Sequence, residues 1–177
     1  MFITTIRYDN MQISTIGKIQ KRTLALYPQA VPLYKIYNKL IYSHLNKYQL
    51  KFEERSALSR PLVCVKDGNT LFLVNNFSLF NILKSVNKVN EPLDQEVLLV
   101  EINADLFRFD LVFYELISIV SRYHNIIELE RIYLALSELL DTKISQRIFV
   151  KNKFSIVLFC NLINLPVRTY HNRTKVQ

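Results

Sequence analysis

Three histidines, two cysteines and a few paired carboxylates are the residues of this 177-residue chain with the best claim to chemistry. His44, His124 and His171 stand far apart, and neither they nor Cys64 and Cys160 fall at the short spacings that hold zinc. Both cysteines sit in apolar runs, where a thiolate is disfavoured, so they read as small buried hydrophobes rather than nucleophiles. Glu53-Glu54 and Glu128/Glu130 read as solvated helix faces rather than acid–base pairs. Only two glycines occur, Gly17 and Gly68, which excludes a glycine-rich phosphate loop. Catalysis therefore has no positive support. The expectation is a non-enzyme without metal or cofactor.

The basic residues carry more information. The net charge is +8, and it is unevenly spread. Residues 1–60 hold ten Lys/Arg against three Asp/Glu, residues 61–140 six against eleven, and residues 141–177 seven against one. A basic end of this kind is the electrostatic footprint of nucleic-acid contact. The competing reading is that basic ends pair with the acidic middle or keep the chain soluble. "LYKIYNKLIYSHLNKYQL", 33–50, interleaves tyrosines with lysines, a pattern that can stack single-stranded bases. Tyr34, Tyr37, Leu40, Ile41, His44, Leu45 and Tyr48 also fall at helical spacing, which reads as the core face of an amphipathic helix.

These residues need elements to position them, and the pattern predicts an α+β chain. "MQISTI" is a short strand. "PLVCVK" and "TLFLVN", 61–66 and 70–75, flank Asp67-Gly68 as a hairpin, the second strand apolar enough to be buried on both faces. A helix over 78–87 follows, capped by Asn76 or Ser78, and then the strand "EVLLVEI", 96–102. From Leu111 the apolar spacing is helical. "TKISQRIFVKNKFSIVLFCNLINLP" divides into a helix near 143–149, a turn at Lys151-Asn152 and a helix near 153–164 ended by Pro166. The tail "VRTYHNRTKVQ" reads as basic and frayed. No secretory signal and no bilayer-length apolar run is visible, so the expected location is cytoplasmic, without membrane contact.

Three stretches in this order resemble one family. Residues 61–102 are similar to the N-terminal ParB-like domain of plasmid and chromosome partition proteins, in which strand, turn and strand lead into a nucleotide-receiving corner that opens a helix. "RFDLVFYE", with Arg108, Asp110, Leu111 and Glu115, looks like the turn by which those proteins enter their helical DNA-binding part. "KISQRIFVKNKFSIVLFCNLINLP" looks like their helix-turn-helix, with Leu162, Ile163, Leu165 and Pro166 matching its Leu-x-Leu-Pro ending. The similarity covers roughly residues 12–166, each piece short.

The resemblance implies a mixed-sheet ParB/sulfiredoxin-like domain over 1–105, a helix-turn-helix subdomain over 106–166 and a basic tail over 167–177. It implies a double-stranded DNA partner in plasmid, phage or other mobile-element partition or regulation. Lys143, Arg147, Arg168 and Arg173 are then phosphate contacts, and Lys151, Asn152, Lys153 and Ser155 sit in the turn or at the start of the groove-reading helix. The corner departs from the family. Asn75, Asn76, Phe77 and Ser78 replace its glycine and arginines, and of the family's Glu-Asn-x-x-Arg segment only Arg108 and Asp105 remain, so nucleotide hydrolysis and clamp closure are expected to be lost. Gln146 and Val150 stand where the helix pair has small Ala and Gly. The family's C-terminal dimerisation domain is expected to be absent, so any homodimer would have to form by another route. The first alternative is a ParB-like scaffold reused as a protein-interaction adaptor in a nucleoprotein assembly. The second is a small-molecule or nucleotide-binding enzyme of the same fold, which would need arginines such as Arg55 and Arg60 at the corner.

Overall fold

A computed structural model describes residues 10–47, 59–85 and 94–174. Tyr48, Glu53, Glu54, Arg55 and the expected segment ends at 2–9, 48–50, 86–87 and 175–177 lie outside the described residues. The chain is α+β, with a five-stranded mixed sheet and two compact units: residues 1–31 with 51–109, and residues 32–50 with 110–177.

The first unit holds the sheet. Its strands are β1 (Asn10–Thr15), β2 (Thr23–Leu26), β3 (Leu62–Asp67), β4 (Thr70–Leu73) and β5 (Glu96–Ile102), in the order β1-β5-β3-β4-β2. β3 and β4 are antiparallel and close on Gly68-Asn69, with Asp67 opposite Thr70. Gly68 takes φ +57°, the left-handed geometry that a two-residue hairpin turn needs. β3 pairs in parallel with β5, and helix α4 (Phe77–Ser85) lies between β4 and β5 in sequence. Leu71 and Leu73 are fully buried, while Phe72 on the other face is half-buried, so one face of β4 is less covered than its apolar run predicts.

Two elements of this unit carry little local signal. Helix α1 (Ile16–Gln20) is one short stretch, N-capped by Thr15, whose Oγ1 accepts from the Lys18 amide at 3.4 Å. β2 has four residues and pairs in parallel with β4, Leu24 opposite Leu71. A four-residue edge strand exists because its partner exists, and periodicity over so short a span does not reveal it.

The second unit is helical. Val31–Ile36 (α2), a π-helical stretch Tyr37–Tyr42 and Ser43–Lys47 (α3) form one continuous helical segment. Tyr37 and Ile41 are fully buried and Leu40 nearly so, so the tyrosine-lysine stripe is a core face, not an open stacking platform. The remaining helices are α5 (Phe109–Tyr123), α6 (Leu129–Leu139), α7 (Thr142–Phe149), α8 (Ile156–Leu162) and α9 (Val167–Thr174). α5 buries Val112, Phe113, Leu116, Ile117, Ile119 and Val120. Phe113 meets Phe149 edge-on, with ring centroids 5.4 Å apart.

Two boundaries differ from the sequence expectation. Residues 32–50 group with the C-terminal helices, not with a continuous domain over 1–105, and His44 of this segment reaches Glu128 at 3.0 Å. The tail is not frayed through 167–174: it forms α9, held by Tyr170, which is 3% exposed. Burial pushes the Tyr170 phenol up to about 12, with Glu130 adding to the shift. Its ring packs edge-on against Phe159 and Tyr133, at 6.2 and 6.4 Å.

Candidate nucleic-acid interface

α7 and α8 form a helix pair joined by a turn. Asp141 caps α7, its Oδ1 accepting the Ile144 amide at 2.8 Å, an N-cap bond that satisfies one of the helix's orphan donors. α7 is amphipathic: Lys143, Gln146 and Arg147 are exposed, and Ser145 is fully buried. The Ser145 hydroxyl donates to the Leu140 carbonyl at 3.0 Å. The small residue of this helix on its packed side is therefore Ser145. Gln146, one position on, points to solvent, which corrects the expectation that Gln146 stands at the close approach.

Val150 ends α7 in the left-handed region, φ 56° and ψ 33°, its amide donating to the Gln146 carbonyl at 3.0 Å. Glycine is the usual residue for this stop. Val150 is 85% exposed, so its side chain gains no packing to offset the strain. The turn then runs through exposed Lys151, Asn152 and Lys153 to Phe154, which is 1% exposed. Phe154 anchors the turn: its ring stacks on Phe149 at 5.6 Å and Tyr133 at 6.0 Å, and meets Phe113 and Phe159 edge-on.

α8 begins later than expected. Ser155 is its N-cap, accepting the Leu158 amide at 3.2 Å. Asn152 and Lys153 therefore precede the helix instead of forming its first turn, and Ser155 Oγ is engaged in the cap. α8 ends in a Schellman motif: Leu165 N donates to Cys160 O at 2.9 Å and Asn164 N to Asn161 O at 3.3 Å, with Asn164 at φ 55°. Leu165, buried at 6%, supplies the apolar contact that accompanies such a stop. Pro166 does not end α8; it leads into α9, its carbonyl accepting the Tyr170 amide at 3.1 Å. Asparagine in place of the usual glycine accounts for "LINLP" in local physical terms.

Of the DNA-contact candidates, Lys143, Arg147, Lys151, Asn152 and Lys153 are exposed on α7 and its following turn. None of these four cations has an ion-pair partner among the described residues, and Asp141 is the one acid in residues 141–177. Arg168 is exposed on α9. Arg173 is committed elsewhere, its Nη1 donating to the His124 carbonyl at 3.3 Å. With His124, Asn125, Ile127, Leu129, Thr169, Asn172 and Thr174 it lines an open cavity of about 460 Å³. His124 Nδ1 is buried without a hydrogen-bond partner. Burial, then the charge of Arg173, pulls the imidazole below its ordinary value. The sequence does not show this cavity, because its lining comes from two segments some forty residues apart, nor the exposure of Val157 and Asn161 on α8, which stand within an apolar run.

At the strand-to-helix corner the asparagines are structural. Asn75 Oδ1 accepts the Val63 amide at 2.7 Å, and its Nδ2 donates to the Pro61 carbonyl at 3.1 Å, prolonging the β3–β4 pairing with a side chain. Asn76, fully buried at φ 56°, caps α4 through Oδ1 to the Leu79 amide (3.3 Å) and donates Nδ2 to the Arg60 carbonyl (3.3 Å). Asn76, one of the two expected caps, accepts the Leu79 amide, and Ser78 is buried inside the first turn. Phe77, Leu79 and Phe80 are buried around it. Arg108 is exposed just before α5.

The thiols of Cys64 and Cys160 are free and buried. Burial, then the Glu101 carboxylate, pushes Cys64 up to about 12, and burial raises Cys160. Among the described residues no three His, Cys, Asp or Glu side chains come together as a metal site, and no helix is long and apolar enough to cross a membrane. No family model, curated protein or solved structure matches this chain.

Proposed function

We propose that this protein binds double-stranded DNA through the α7–turn–α8 pair, as a non-catalytic ParB-like protein acting in partition or regulation of a plasmid, phage or other mobile element. The observation that carries the reading is the exposed basic ridge of Lys143, Arg147, Lys151 and Lys153. Lys143 and Arg147 are one helical turn apart on α7, and the turn adds two further cations beside the start of α8. Exposed cations with no ion-pair partner among the described residues, close together in one helix–turn–helix segment, suit a polyanion, whose condensed counterions they release. The non-catalytic part of the reading draws on the corner, where Asn75 and Asn76 spend their amides on the fold.

Fluorescence anisotropy with a labelled duplex at two salt concentrations tests the reading. With about four phosphate contacts, log K falls with log salt at a slope of roughly −4. The double variant K151A/K153A should weaken binding to all duplexes and flatten that slope by about 2. Unchanged affinity in that variant sinks the assignment.

A second reading, a ParB-like scaffold serving as a protein adaptor, draws on Leu111 and Tyr114 of α5, 48% and 42% exposed and one turn apart. Paired exposed apolar residues suit a protein partner better than a phosphate backbone.

A further inference from the structure

The late start of α8 changes which side chains can read a base. Ser155 is engaged as the cap, and Asn152 and Lys153 lie ahead of the helix. On α8 itself, Phe159 and Cys160 are fully buried, and Ile156, Leu158 and Leu162 are half-buried. Val157 and Asn161 are the exposed side chains of the helix, one turn apart, with Val157 56% exposed. The Asn161 side-chain amide has no hydrogen-bond partner among the described residues.

The distribution of charge around this row is informative. From Phe154 to Val167 the chain carries no charged residue. Lys151 and Lys153 stand just before it and Arg168 just after it, all exposed. Cations on either side of a short, uncharged, small-residue face can hold two stretches of phosphate backbone while the face itself lies close to the base edges. An exposed valine offers apolar contact to the thymine methyl group, and an asparagine amide bonds the N6 and N7 of adenine in two-point fashion.

Resting on the DNA-binding reading, we infer that Val157 and Asn161 are the base-reading residues of this protein, and that they select A·T pairs in the major groove. Four helical residues advance about 6 Å, and base pairs are stacked about 3.4 Å apart. The two selected pairs therefore lie about two base pairs from each other. Lys143, Arg147, Lys151, Lys153 and Arg168 supply affinity without sequence choice.

The test is selection of duplexes from a randomised pool by the full chain, followed by anisotropy on the selected site. The expected result is enrichment of A·T at two positions about two pairs apart. Replacing one of these pairs by G·C should cost about tenfold in affinity. N161A should abolish the preference at one position and keep affinity for unselected duplex. N161Q, which retains the amide, should restore part of it. V157S should relax the other position alone. Both sites are exposed, and circular dichroism checks that each variant folds. Salt-dependent binding with no A·T enrichment overturns this inference and leaves the DNA-binding reading standing. So does an N161A variant that loses affinity equally for every sequence. Absence of any duplex binding by the unaltered chain overturns both.

Discussion

His44 Nε2 lies 3.0 Å from Glu128 Oε1, joining residues 84 positions apart in the chain. The other oxygen of the same carboxylate receives Arg131 Nη1 at 2.9 Å. One partly exposed carboxylate thus ties the helical segment 31–47 to the start of α6 within the second unit. The Arg131 hydrogen bond foremost, with the His44 bond after it, holds the Glu128 carboxyl below its ordinary value.

A carboxylate with a depressed folded value contributes stability above its unfolded value, about 4.3, and loses that contribution as pH falls through the folded value. E128Q is therefore expected to lower stability by about 0.5 kcal/mol at neutral pH, as befits a solvent-screened pair. It should also flatten the acid limb of a denaturation-midpoint profile below about pH 4. An identical acid limb in E128Q and the unaltered chain would show that the clasp carries no free energy.

Asn76 combines a left-handed backbone, full burial and two side-chain bonds. N76A removes the cap and leaves a non-glycine residue in a strained conformation, at a cost of about 2–3 kcal/mol. N76G relieves the backbone and loses only the side-chain bonds, so it should be the milder change. Urea denaturation of both variants checks the order; N76G more damaging than N76A would refute the account.

Val150 shares the left-handed geometry with none of the compensation, being 85% exposed with φ 56°. V150G should stabilise the protein by about 0.5–1 kcal/mol, the relief of strain exceeding the added entropy of the unfolded chain. A rise in thermal midpoint measures this. A fall would mean that the valine methyls make a contact at this turn worth more than the strain.

His124 has a folded value lowered first by burial and then by Arg173. A histidine of this kind binds fewer protons folded than unfolded. Stability is therefore whole above the unfolded value, about 6.5, and is lost as pH falls through it toward the lower folded value. H124Q should flatten the denaturation-midpoint profile as pH falls below about 6.5. A slope in that range that persists undiminished in H124Q assigns it to another group.

What the sequence determined by itself was local. The hairpin at Gly68, the helix capped by Asn76, the strand at 96–102 and the helix pair after Asp141 all follow from turn chemistry, capping residues and apolar spacing within short windows. The basic character of residues 141–177 and the exposed cations of the candidate interface were equally legible, since charge seldom enters a core. Tertiary structure decided the rest. β2 depends on pairing with β4, and segment 32–50 groups with the C-terminal helices, to which the His44–Glu128 bond ties it. α9 exists because Tyr170 finds Phe159 and Tyr133. In the helix pair, composition showed an apolar run from Phe154 to Val167 without showing which side chains face inward. Packing of Phe154, Phe159 and Cys160 settled that, and it left Val157 and Asn161 in solvent. Burial is a property of contacts between distant segments, so no window along the chain could have separated those residues from their neighbours.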